Sequence, residues 1–599
     1  MERRRFIQTA IGLGVLMHPS VRAWSKPSSY TDLELAGPKE PVFIYNNWSA
    51  YDELSDNKPQ TEELAMGELN EIIRLKKLGV QIDYYVMDAF WFSKEGGYRT
   101  WLQEHWPNGP DKWLSECKIN NIKPGMWFST NLVTMGGKQV LDIIPEWQSS
   151  LGTDHNILCL FDGGYLAHLA DTLQVWYDKG VRLFKFDFAY FEAVTPAMKD
   201  KYSKEEIVEK NKAAFMQMLQ QFRSKNPDVL ITGYNGFGGT MDNTYTPFSK
   251  TPPIDPRWLD TFDTLYSGDP RFSDVPMMNI WRSQDNYSDH QVNAFKAYGM
   301  PVRRIDSCAF MIGTTGTCYY RAKNCWKGML ILELARGGWV NVYHGNLELL
   351  NDEDGGWFGK VQSLYHGLQK QDNTEFFGSI PGKGQPYGFK SSDSKGAVCT
   401  MVNPSQAVAM IEFPADNPLS KILYADGGFR PSISGNKIKV GPEQLVVIGL
   451  GEYANEKYDI GIDDTINIPV AIDKISTEFT TTSKNTIETT VNAPAGKNLR
   501  IIMQQYYSNG DPCRSWLGAP PDGKRVNEVI KIKVTQDGKE IPQHIEYDKM
   551  IWSGLSWGVA EIKQGTFDSA KRLIIQCSTS EKDAAKITGA IYAVSYTKA

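Results

Sequence analysis

Between residues 42 and 350, short apolar runs alternate with amphipathic stretches of helical period, and this alternation constrains the fold more than any other feature. The runs cover 42–46, 82–87, 124–128, 183–186, 229–232, 277–281, 308–312 and 340–343. Thr264–Tyr266 competes with 277–281 for sixth place, and the seventh run is the poorest. Between the runs, 62–78 spaces Leu69, Ile72, Ile73, Leu75 and Leu78 mostly three and four residues apart. The stretch 206–225 does the same with Ile207, Phe215, Met218, Leu219 and Phe222. Repeated strand–helix units predict a parallel sheet covered by helices. Eight of them predict a (β/α)8 TIM barrel over 40–350.

After about residue 375 the pattern changes to short β-like runs with turn signals, at 397–402, 407–413 and 445–450. These predict an antiparallel β domain over 375–452. A polar joint over 452–467 follows. Further runs at 476–491, 499–507, 526–534, 573–577 and 591–596 predict a C-terminal β-sandwich over 468–599. Trp516, Trp552 and Trp557 in that block are either core or platforms for a sugar ring. At the other end, Met1-Glu-Arg-Arg-Arg-Phe-Ile7 leads into an apolar stretch to Met17 and a small residue at Ala23. That order predicts an export signal over 1–23, twin-arginine-like, with Sec export as the alternative. The expected location is periplasmic or extracellular. The apolar core of the signal is too short to remain as a membrane span. No integral membrane segment is expected in the mature chain.

The net charge of −6 gives no electrostatic case for nucleic acid or an anionic membrane as partner. The eight Cys form no Cys-x-x-Cys, and His-Glu-x-x-His does not occur, so neither a metal site nor a cofactor is expected. Export permits disulfides, and Cys318 and Cys325 are close in sequence, but most of the cysteines are expected as buried free thiols. The 17 Trp and 28 Tyr are an excess suited either to aromatic cores or to stacking on the C–H faces of sugars.

Active residues of such a barrel sit at the C-terminal ends of its strands. The first run leads into Asn46-Asn-Trp48, the second into Asp88-Ala-Phe-Trp91, and the third carries Trp127. The fourth gives Lys185-Phe-Asp187, the fifth Tyr234-Asn235, the sixth Trp281-Arg-Ser-Gln-Asp-Asn286, and the eighth His344. Aromatics, amides and carboxyls on one rim suit an oligosaccharide or glycoside substrate. Cleaving a glycosidic bond needs one carboxylate beside an oxocarbenium-like centre and a second carboxyl to protonate the leaving oxygen. Lys185 and Asp187 share one face of a strand, and the ammonium keeps the carboxylate ionised. Asp187 is therefore the expected nucleophile. Asp285 is the expected acid/base, with Asp269 and then Asp263, Asp274 and Asp289 as alternatives. Trp48, Asp88, Trp91, Trp127, Lys185, Asn235 and Arg282 are the expected substrate-binding residues.

Asn46-Asn-Trp48, Val86-Met-Asp-Ala-Phe-Trp-Phe92, Lys123-Pro-Gly-Met-Trp127, Lys185-Phe-Asp187 and Trp281-Arg-Ser-Gln-Asp-Asn286 follow one another in an order that resembles the melibiase-type α-galactosidases of glycoside hydrolase families 36 and 27. The resemblance covers about 40–350. It implies retention of anomeric configuration, through one Asp after strand four and one after strand six, here Asp187 and Asp285. The chain departs from that pattern at Ala89 and Phe90, where the family has a second acid and a glycine, the strand-two acids being the ones that grip galactose hydroxyls. The turn Gly236-Phe-Gly-Gly-Thr-Met-Asp242 lacks the family's Arg, and one extra residue precedes Asp285. Two other functions fit the same residues: transglycosylation of the raffinose-synthase kind, and non-catalytic glycan binding on the same barrel. Lys185-Phe-Asp187 argues against the second, because a binding protein gains nothing from a nucleophile.

Overall fold

The structure, a computed structural model, describes residues 37–48, 59–89, 91–135, 138–139, 143–237, 254–307, 310–313, 326–415, 419–517, 526–545 and 554–596. The export signal expected over 1–23 lies outside them, as do Phe90, Trp552, Cys308, Cys318, Cys325 and most of the glycine-rich turn after Asn235. The described cysteines, Cys117, Cys159, Cys399, Cys513 and Cys577, are buried free thiols.

The first half alternates strand and helix: β1 (Val42–Asn46), α1 (Glu62–Lys77), β2 (Tyr84–Met87), α2 (Asp111–Ile119), β3 (Lys123–Ser129), α3 (Tyr165–Asp178), β4 (Leu183–Asp187) and α4 (Lys204–Lys225). There follow β5 (Leu230–Gly233), β6 (Thr264–Tyr266), α5 (Ile280–Ala297), β7 (Ile305–Asp306), β8 (Phe310–Ile312), α6 (Trp326–Ala335), β9 (Val340–Gly345) and α7 (Asp352–Gln369). The nine strands form one sheet in the order β8-β9-β1-β2-β3-β4-β5-β6-β7, and every neighbouring pair is parallel. Its two end strands, β7 and β8, are separated in sequence only by 307–309. The result is a TIM-barrel-like domain.

Local chemistry starts the helices where the sequence supplies a cap. The Thr61 hydroxyl accepts the Leu64 amide ahead of α1, and Ser203 with Glu206 forms a capping box ahead of α4. The sixth strand corrects the expectation. It is Thr264–Tyr266, not 277–281, whose end is the first turn of α5. The amides of Met278 and Asn279, at the start of this helix, donate to the Glu443 carboxylate at 2.7 Å each. The acceptor that this helix start requires thus comes from a different domain.

Alternation along the strands divides the sheet's side chains between two faces. Phe43, Tyr45, Tyr85, Met87, Met126, Phe128, Phe184 and Phe186 pack with Leu69, Ile72, Phe215 and Leu219 of the helices in one large core. The opposite face carries a small apolar cluster of Ile44, Tyr84, Val86, Leu183, Leu230, Val340 and Val342. Two residues further along the same face come Asn46, Asp88, Lys185, Thr232 and His344, so polar groups gather above an apolar floor.

A six-stranded sheet runs from Glu375–Gly378 to Gly461–Asp463, the last strand pairing in parallel with Ser420–Asp426. With a three-stranded sheet it encloses Cys399, Met401, Ile411, Phe413, Ile438, Val446 and Ile448. The terminal block holds a four-stranded and a five-stranded antiparallel sheet. Their shared core contains Ile487, Val491, Leu499, Ile501, Val534 and Ile575, and continues into Tyr234, Tyr266, Phe272, Ile280, Trp281 and Met311 of the first half. The terminal block is therefore packed against the part of the sheet that β5 and β6 lead into. Among the described residues no helix is long and apolar enough to cross a membrane.

Candidate active site

Asp187 ends β4 and is only 7% exposed. Its Oδ1 accepts the Phe188 amide at 2.8 Å, the Asn235 amide at 3.1 Å and the Asn235 side-chain amide at 2.9 Å. Its Oδ2 accepts Trp127 Nε1 at 3.2 Å. Phe188 has φ of 49°, which is strained for a bulky residue. Burial raises the Asp187 carboxyl above its usual range, while the Lys185 charge and the Trp127 and Phe188 donors pull it back down. Strain and desolvation meet at the same carboxylate, as they do at sites of chemistry.

Lys185 stands two residues before Asp187 on the same face, and its Nζ donates to Asp88 Oδ2 at 2.7 Å with both groups buried. The ammonium also lies 4.1 Å from the centre of the Tyr234 ring and 5.9 Å from that of Trp48. Trp48 meets His344 edge to face at 5.9 Å. Burial, and then the Lys185 charge, push the His344 imidazole down to about 3, so it is neutral at physiological pH. Asp88 is itself fixed by its amide, which donates to Asn47 Oδ1 at 2.8 Å.

The rim continues across the next strands. The Tyr234 hydroxyl donates to Asp306 at 2.6 Å, and its ring stacks on Tyr266 at 4.4 Å. The Tyr266 hydroxyl donates to Asp269 Oδ1 at 2.7 Å, and Arg271 holds Asp269 Oδ2 at 2.9 Å. The Asp269 side chain keeps 24% of its exposure, against 2% for Asp88, so Asp269 opens toward solvent. The chain of contacts runs Asp88, Lys185, Tyr234, Tyr266, Asp269, with Asp187 beside Lys185.

The structure therefore brings together Trp48, Asp88, Trp127, Lys185, Asp187 and Asn235. It sets three expected site residues apart. Asp285 lies in the second turn of α5 rather than beyond a strand, and its carboxylate takes Arg282 at 2.7 Å. Arg282 in turn pairs with Asp426 of the second domain. Both Arg282 and Asp285 are buried, at 1% and 2% exposure. Trp91 is fully buried among Phe92, Trp101, Phe128 and Trp176, and its indole N–H donates to the Trp127 carbonyl. It has no face left for a sugar. Tyr234 was expected on the rim but not as a site residue, and Tyr266, Arg271 and Asp306 belong to the rim but were absent from the expected site. Each lies at or within five residues of a strand end, which is the signal that could have found them. Among the described residues, no group of three or more His, Cys, Asp or Glu could hold a metal.

No protein-family model matches the chain, and no curated protein matches it. Similar solved structures include the GH36 alpha-galactosidase AgaA from Geobacillus stearothermophilus, at 14% identity and TM-score 0.48, over 69% of this chain and 56% of that one. The alpha-galactosidase from Lactobacillus brevis has 15% identity and TM-score 0.49, over 69% and 55%. Isomaltulose synthase from Erwinia rhapontici has 11% identity and TM-score 0.43, over 69% and 99%. The chain thus spans little more than half the length of these two galactosidases. Likenesses this faint assign no activity.

Proposed function

We propose that this chain is a retaining glycoside hydrolase acting on terminal α-linked sugars, with Asp187 as nucleophile and Asp269 as acid/base. The observation that carries the reading is the set of donors on Asp187. Oδ1 carries three of them and Oδ2 one, so Oδ2 is the oxygen that attacks. In the first step Asp187 Oδ2 bonds to the anomeric carbon, the glycosidic C–O bond breaks, and the leaving oxygen takes a proton from Asp269. In the second, Asp269 takes a proton from water, whose oxygen displaces Asp187 from the anomeric carbon. Lys185 and Asp88 hold sugar hydroxyls, and Trp48 offers aromatic surface.

Asp269 is preferred over Asp285 because it follows β6, joins the rim through Tyr266, and keeps solvent access. Both carboxylates pair with a buried arginine, but Asp285 lies on a helix with 2% side-chain exposure against 24% for Asp269. We take β7 and β8 as one interrupted seventh strand, which closes the sheet into a (β/α)8 barrel. The galactoside-like preference rests on the order of sequence motifs, and Ala89 leaves room for another sugar. Export to the periplasm or medium, where water is the abundant acceptor, favours hydrolysis over transglycosylation.

A panel of nitrophenyl glycosides, with the anomer of the first product read by NMR, tests the reaction. Azide rescue tests the roles. Asp187→Ala with azide should release the inverted glycosyl azide, and Asp269→Ala the retained one. Ordinary activity in Asp187→Asn, or an inverted wild-type product, would sink the proposal. A retained azide from Asp285→Ala and none from Asp269→Ala would move only the acid/base role.

A further inference from the structure

The loop between β6 and α5 carries Asp269 and Arg271 near its start and Asp274 at its middle. Gly268 turns the chain at φ of 130°, and after it Pro270 fixes its own φ and restricts Asp269 before it. Ser267 is tied down by its amide, which donates to the Asp306 carbonyl at 2.8 Å. The middle of the loop is held by the terminal sandwich. Arg514 pairs with Asp274 Oδ2, the Ser556 hydroxyl donates to Asp274 Oδ1 at 2.7 Å, and Trp557 Nε1 donates to the Ser273 carbonyl at 2.8 Å. Arg514 and Asp274 retain only 11% and 10% of their side-chain exposure. Tyr287, buried on α5, feels the charges of Arg271, Asp269 and Arg514.

A buried ion pair adds little stability that an apolar contact would not, but it fixes geometry. An apolar contact would have sufficed to glue the sandwich on. We propose that Arg514 is a positioning residue for Asp269: through Asp274 it sets the strand-six loop, so the sandwich completes the acid/base half of the site. The inference rests on the reading of Asp187 and Asp269 given above. It makes the terminal domain part of the catalytic unit rather than a detachable binding module.

Full-length Arg514→Ala, Arg514→Lys and wild type are compared by kcat/KM on aryl and alkyl α-glycosides of graded leaving-group acidity, with Tm measured alongside. General-acid catalysis is worth about 10²–10⁴-fold where the leaving group needs a proton. Partial misplacement in Arg514→Ala should therefore cost about tenfold or more on alkyl glycosides and about twofold or less on dinitrophenyl glycosides. Arg514→Lys should recover most of the loss. If Arg514→Ala does not fold, Asp274→Asn takes its place in the same series. An equal loss across all leaving groups, or no loss, overturns the proposal. Activity surviving in Asp187→Asn would instead sink the underlying reading, whatever Arg514 does.

Discussion

Asn235 gives both its backbone amide and its side-chain amide to one oxygen of Asp187, at 3.1 and 2.9 Å. Donors to the charged form lower a carboxyl pKa, whereas burial raises this one. The nucleophile must be ionised, so activity falls as pH drops through its pKa. Asn235→Ala removes the side-chain donor and raises that pKa. The acid limb of kcat/KM on an activated glycoside should move up by roughly one pH unit. A limb that stays in place would mean that this donor does not tune Asp187.

Lys185 and Asp88 form a buried pair at 2.7 Å. Removing Asp88 takes away the carboxylate that Lys185 Nζ contacts and leaves Asp187 as a neighbouring counter-charge, so Asp88→Ala should lose about 1–3 kcal/mol in denaturant unfolding. The double variant Asp88→Leu with Lys185→Met should recover most of that stability without recovering turnover. A double variant as unstable as Asp88→Ala would show that the lost compensation of the Lys185 charge is not the cause.

The His344 pKa is lowered in the folded protein from 6.5 to about 3. Between those values the unfolded chain binds the proton and the folded chain does not. Its contribution to stability is complete above pH 6.5 and is lost as pH falls toward 3, by up to about 1.4 kcal/mol per pH unit. His344→Gln should therefore unfold less steeply with acid than wild type. Parallel acid-denaturation curves would contradict a neutral, buried imidazole.

Asp285, Arg282 and Asp426 form a buried cluster joining α5 to the second domain. Burial outweighs the guanidinium and pushes Asp426 up to about 7. Asp285→Asn leaves the buried guanidinium one carboxylate short, and should lower unfolding free energy by about 1–3 kcal/mol. Its kcat/KM should fall, if at all, by the same factor for good and poor leaving groups. A loss confined to poor leaving groups would return Asp285 to the acid/base role.

Much of the rim was legible because a strand repeats every two residues. That rule puts Lys185 and Asp187 on one face from their spacing alone, and counting on from the apolar run reaches Asp88. Asn235 follows from its place just past β5. Trp91 shows the limit of the same reasoning. Composition marks it as an aromatic after a strand, but only packing reveals that Trp101, Phe128 and Trp176 enclose it.

The sequence by itself determined the alternation of strand and helix and the change to β structure after about 375, because both are written in local period. It did not determine where the sixth strand ends. Residues 277–281 are apolar enough for a strand, yet Glu443, 165 residues beyond Met278, takes the Met278 and Asn279 amides where α5 begins at Ile280. The Arg282–Asp285 spacing of three hinted at that helix, but no local window contains Glu443. The approach of Arg514 to Asp274, 240 residues apart, is likewise set by the packing of one domain on another. Such partners are chosen by tertiary burial, which supplies the acceptor or counter-charge that a desolvated group requires.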